Sequence, residues 1–205
     1  MTFTYCPLDT EMVPKNLSIS VNGFKNIVEL SWDIVENAES YNVYRNDSLI
    51  ANVKENSFND SYGDNTSEYY SYHVTSVFAN EESYKSNIEN VVTGDFSEYI
   101  IDMESIGEYG WQGGEIKVSF DNENMEDRYF TIYSGDVLTR NFIVPVGTKV
   151  SVSWLKGWDD EDCSFSITNN NETVYTSSDL QEGLLIEFTA ENGSTCSAPK
   201  NLTSE

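Results

Sequence analysis

Ile27-Val-Glu-Leu-Ser-Trp-Asp33 places Val28, Leu30 and Trp32 on one side of an extended chain and Glu29 and Ser31 on the other. A period of two with one apolar side is the pattern of a strand with one buried face. Trp32 is large enough to anchor that face. The pattern recurs outward from this stretch. Ser40 to Arg45 alternates Tyr41 and Val43 against Asn42 and Tyr44, and Asn46-Asp47 turns the chain into Leu49 to Val53. Tyr69 to Val77 is a longer run with Tyr70, Tyr72, Val74 and Ser76 on one face, and Ser86 to Val92 closes the set. Short runs separated by Asn, Asp, Ser and Gly clusters, with helical periodicity nearly absent, predict a β-sandwich. His73 alternates with the apolar face of its strand, so it is expected to face solvent.

A fresh alternation begins after Gly94, at Asp95 to Met103. Further strands are expected over Glu115 to Phe120, Tyr129 to Tyr133, Val137 to Val144, Lys149 to Leu155, Cys163 to Thr168, Thr173 to Thr176 and Leu184 to Thr189. The stretch Cys163 to Thr176 reads as a hairpin across Asn169-Asn170-Asn171. About eight strands and no helix predict a second, jelly-roll-like sandwich. The fold class is therefore all-β, two β-sandwiches. The boundaries fall at 1–12 for a linker from an upstream module, 13–94, 95–195, and 196–205 for the start of a further repeat or linker.

Two stretches of the second module do not read as strands. Gly107-Glu-Tyr-Gly-Trp-Gln-Gly-Gly114 is too glycine-dense for a central strand, and Gly157-Trp-Asp-Asp-Glu-Asp162 sets a tryptophan among four carboxylates. Glycine lets another chain or a ligand approach closely, and the aromatic rings offer flat faces. Tyr109, Trp111, Gln112 and Trp158 are the candidate ligand-binding residues. Asp102, Glu104, Glu108, Asp159 and Glu161 are candidate calcium ligands, since calcium takes carboxylate and carbonyl oxygens. Two readings stand side by side: an ion-organised, Trp-flanked rim, or half-buried tryptophans covering the ends of the sandwich with solvated acids around them.

The 205 residues carry 35 acidic against 11 basic side chains, a net charge of -24. That balance argues against nucleic acid, whose phosphates want a basic stripe, and against an anionic membrane surface. No apolar run approaches the length needed to span a bilayer, and Met1 to Pro7 lacks the pattern of a signal peptide. Three cysteines, Cys6, Cys163 and Cys196, without Cys-x-x-Cys spacing, and one histidine make a zinc site a poor expectation. His73 is also the one imidazole available to a nucleophilic triad, and it lies in the other module from Cys163. Asp102 with Glu161 or Asp159 would be the carboxylate pair of a glycosidase. In so acidic a chain such a pair distinguishes little, so a non-catalytic role is expected.

The order Pro14, Leu17, Trp32, then Tyr41, Val43, Tyr44 and Arg45, then Tyr70, Tyr72 and Val74 resembles a fibronectin type III domain, although no Arg-Gly-Asp tripeptide is present. The second module is similar to a Gly-Trp-motif β-sandwich found in secreted bacterial proteins. The matching residues are Ser105, Gly107, Gly110, Trp111, Gly113 and Gly114, then Val144, Pro145 and Gly147, then Gly157, Trp158, Asp159, Glu161, Ser164 and Ile167. The chain departs from that pattern at Ile106, Glu108, Tyr109 and Gln112. Such pairs resemble the post-catalytic or adhesin regions of proteases and haemagglutinins of the gingipain or streptopain-like kind. Cys196-Ser-Ala-Pro-Lys-Asn-Leu-Thr echoes Val13-Pro-Lys-Asn-Leu-Ser, which suggests one period of an array. The resemblance implies a secreted or cell-surface setting, a disulfide between Cys163 and Cys196, and a protein or glycan ligand on a host or cell surface. Neighbouring domains of the same chain would be further partners. Carbohydrate-binding accessory region of a glycoside hydrolase, or purely structural spacer, are the alternatives.

Overall fold

A computed structural model of the protein describes residues 10–23, 25–63, 67–79, 81–107 and 109–191. It is all-β and antiparallel, and it divides into two compact units, Met1–Thr93 and Gly94–Glu205. Among the described residues no helix is long and apolar enough to cross a membrane.

The first unit contains β1 (Ser18–Asn22), β2 (Ile27–Ser31), β3 (Ser40–Arg45), β4 (Ser48–Val53), β5 (Ser57–Ser61), β6 (Glu68–Phe78), β7 (Glu81–Glu82) and β8 (Glu89–Thr93). One sheet runs β1-β2-β5. The other runs β4-β3-β6, with β8 paired to the first half of β6 and β7 to its end. Their facing sides share one core of Val28, Leu30, Trp32, Tyr41, Val43, Tyr72 and Val74, with Leu17. Trp32 meets Tyr41 edge-on at 5.4 Å, as expected of an anchor. Asp60 of β5 ties the sheets together: its Oδ2 accepts from Arg45 of β3 at 2.8 Å and from the Tyr72 hydroxyl of β6 at 2.7 Å. Burial, with Asp60 as acceptor, raises the pKa of that hydroxyl far above its ordinary value.

Three expectations for this unit are corrected. The strands β1 and β5 were not foreseen: Phe58 is the one large apolar side chain of β5, and in β1 the alternating Ile19 and Val21 stay half-buried and exposed, respectively. The last strand begins at Glu89, not Ser86. Before it, the Ser83 and Ser86 hydroxyls accept from the backbone N–H groups of Ser76 and Val74, so side chains do part of the work of a ladder. His73 is buried, not solvent-facing. It stacks on Tyr44 at 4.6 Å and lies 3.6 Å from Asp47.

The second unit contains β9 (Phe96–Ser105), β10 (Glu115–Phe120), β11 (Arg128–Phe130), β12 (Val137–Pro145), β13 (Lys149–Leu155), β14 (Cys163–Asn169), β15 (Glu172–Thr176) and β16 (Gly183–Thr189). These eight strands form two four-stranded sheets, β12-β9-β14-β15 and β11-β10-β13-β16. β9 alternates buried and outward residues along its length, sending Tyr99, Ile101 and Met103 inward. Aromatic rings fill the space between the sheets. Tyr99 stacks on Phe142 at 5.2 Å and touches Phe188 at 5.0 Å, and Trp154 meets Phe165 at 6.4 Å. Asn170 and Asn171, both at positive φ, form the two-residue turn between β14 and β15, as the right-handed twist of a hairpin favours.

Candidate functional site

Strand register decides which loops meet. Ser105 pairs with Cys163, Glu104 with Val137, Glu115 with Leu155, Ile116 with Phe130 and Trp154 with Gly183. The loops 106–114, 131–136, 156–162 and 177–182 therefore gather at one end of the second sandwich. Phe96 and Thr189, where the chain enters and leaves the sheets, lie at the other.

The first two loops are locked together through Gly110, at φ +66°. A Cβ there would sit 2.2 Å from the Ile132 carbonyl oxygen, so the backbones touch. The next residue, Trp111, donates its N–H to that same carbonyl at 2.8 Å. Ser105 Oγ donates to the Gly110 carbonyl, and Thr131 Oγ1 donates to that of Gly114. This geometry turns Trp111 inward. It is fully buried, its Nε1 donates to the Glu104 carbonyl at 2.8 Å, and its ring meets Trp154 edge-on at 5.3 Å. Trp111 was expected to offer a stacking face; it is a core residue, held there by a satisfied indole N–H.

The loop 156–162 is pressed onto the first by a glycine–glycine contact. A Cβ on Gly157 would lie 2.4 Å from the Gly114 nitrogen, and one on Gly114 would lie 2.7 Å from the Trp154 ring. Trp158 N–H reaches the Gln112 carbonyl at 3.3 Å, and Asp160 Oδ1 accepts from Gly157 N–H at 2.8 Å. The two loops singled out in the sequence are thus joined, and on them and on the loop 131–136 three rings are exposed. Trp158 is 93% exposed, Tyr133 87% and Tyr109 81%, with Ile106, on the same loop as Tyr109, at 74%. Gln112 is exposed at positive φ. Tyr133 was missed because Tyr129 to Tyr133 was read as one strand. β11 ends at Phe130 and Ile132 is buried, so Tyr133 is left in the loop.

The candidate calcium ligands are not brought together. Asp102 and Glu104 lie on the outer face of β9, where Asp102 accepts from Thr139 Oγ1 at 2.6 Å. Asp159 and Glu161 are exposed in and beside the 3-10 turn Asp160–Asp162, and Glu108 lies outside the described residues. Among the described residues no three of His, Cys, Asp and Glu come close enough to hold a metal. The reason is the pleat of β9, which sends the side chains at 102 and 104 sideways from the sheet rather than into the loops.

Cys163 is a buried free thiol whose Sγ donates to the Asp159 carbonyl at 3.4 Å. Its expected disulfide partner, Cys196, lies outside the described residues. Burial, helped by Asp160, Asp162 and Asp159, pushes its pKa up to about 12, so the nucleophilic thiolate is scarce at neutral pH. Beside it a polar groove of about 480 Å³ runs between 156–164 and 177–181, lined by Lys156, Asp160, Glu161, Ser164, Ser177 and Gln181 among others.

No known family description matches the chain, and no curated protein does. Among solved structures it is similar to an Fn3-like protein from Clostridium thermocellum, 27% identical, over 38% of this chain and 86% of that one, with a TM-score of 0.34. It is also similar to the central fibronectin-III array of RIM-binding protein, 13% identical, over 84% of this chain and 99% of that one, with a TM-score of 0.32. The first unit packs a three-stranded sheet against a five-stranded one around Trp32, a two-sheet β-sandwich.

Proposed function

We propose that the chain is a non-catalytic recognition region of a larger secreted or cell-surface bacterial protein, of the protease or haemagglutinin type. In this reading the fibronectin type III-like unit is the spacer and the four-loop end of the second unit is the docking face. The observation that carries it is the placement of Trp158, Tyr133 and Tyr109. Three large rings are almost wholly in water on loops that are themselves held rigid by backbone contacts and a buried tryptophan. Exposed aromatics on preorganised loops are the usual energetic anchors of interfaces. The flat faces of the same rings also favour a second reading, in which the ligand is a glycan and the region accompanies a glycoside hydrolase.

The test is binding of the whole chain to arrays of glycans and of extracellular proteins, with a Tyr133→Ala/Trp158→Ala variant alongside. The variant is expected to lose about tenfold or more in affinity for the true ligand with an unchanged melting temperature, because both rings are at the surface. A ligand class that drops out identifies which reading holds. Retention of every ligand by the variant would leave only the spacer role.

A further inference from the structure

We infer that the occupant of the four-loop end is a cationic protein segment, bearing Arg or Lys side chains, and that Trp158 is where a guanidinium or ammonium group stacks. The inference rests on the recognition role proposed above and names its partner. It comes from a contrast within the molecule. Twice elsewhere, a carboxylate beside an aromatic ring holds a cation of the chain's own. Arg45 pairs with Asp60 at 2.8 Å and lies over Tyr70 at 4.9 Å, and Lys117 pairs with Asp127 at 2.7 Å and lies over Tyr129 at 6.0 Å.

The four-loop end has the same two ingredients without the third. Asp136, Asp159, Glu161, Asp162, Asp179 and Glu182 lie on its loops, against a single basic residue, Lys156. Lys156 lies 3.9 Å from its neighbour Asp160. Among the described residues no Lys or Arg stands over Tyr109, Tyr133 or Trp158. A neutral sugar would use the rings and could donate its hydroxyls to some of the carboxylates, but it would leave their charge unbalanced. An apolar partner would have to strip water from those carboxylates, which is costly without pairing. A cation uses both, since a ring face attracts positive charge and carboxylates pair with it.

The test measures fluorescence anisotropy of labelled oligo-arginine, oligo-lysine and neutral Gly-Ser peptides with the whole chain, at low and high salt. Oligo-arginine is expected to bind more tightly than oligo-lysine, because its planar group stacks, and to weaken as salt rises. Trp158→Ala is expected to weaken it about three- to fivefold. Glu123→Gln/Glu126→Gln, at the opposite end, removes two charges but no ring and is expected to leave it nearly unchanged. If both variants weaken binding alike, or Trp158→Ala leaves it unchanged, net charge alone is responsible and the inference is overturned. Absence of binding at low salt overturns it too. Should Trp158 matter for an array ligand but not for the cationic peptides, this inference falls and the recognition role stands. If it matters for neither, both fall.

Discussion

Trp111 and Trp158 each follow a glycine in an irregular stretch, yet one is core and the other surface. The difference lies in partners that no short window of sequence displays: the Ile132 carbonyl that turns Trp111 inward and the Glu104 carbonyl that receives its indole N–H. His73 shows the same limit from the other side. Alternation assigned it to the outer face correctly, but could not show that Tyr44 covers that face. Burial lowers the His73 pKa below the ordinary value; Asp47 and Glu82 oppose this, and Lys85 adds to it. The unfolded chain therefore takes up a proton near pH 6.5 while the fold resists it, so stability is complete above that pH and declines as pH falls through it. With one histidine in the chain, an NMR titration of its ring reads this directly. A midpoint below about 6.5 is expected, and a midpoint above it would mean that Asp47 outweighs burial.

At the scale of elements, strands with a dense apolar face were legible and polar ones were not. Glu115 to Phe120 and Lys149 to Leu155 match their observed strands residue for residue. The strand Ser57–Ser61 has Phe58 as its one large apolar residue, and only its pairing with β2 makes it a strand. The gathering of four loops was likewise invisible, since it depends on register across both sheets. The glycines hinted at it, because Gly114 and Gly157 are needed for a contact that no Cβ permits. Gly157→Ala is accordingly expected to destabilise the second unit by about 1–3 kcal/mol, the usual cost of forcing extra volume into a packed site. Gly23→Ala, where a Cβ meets nothing within 4 Å, should change stability by well under about 1 kcal/mol. Chemical denaturation of the two variants compares them, and equal stability would show that the loops are not clamped at Gly157.

For the whole molecule, alternation carried the all-β class, and composition the expectation of an acidic, cation-seeking surface. It carried no information on where that surface concentrates around exposed rings. The central claim is that, of the four tryptophans, Trp158 alone is presented to a partner while Trp32, Trp111 and Trp154 are core. Acrylamide quenching of tryptophan fluorescence tests it without any ligand, in the wild-type chain, Trp158→Phe and Trp111→Phe. The account predicts one readily quenched component, which disappears in Trp158→Phe and persists in Trp111→Phe. A quenchable component that survives loss of Trp158, or vanishes with loss of Trp111, would contradict it.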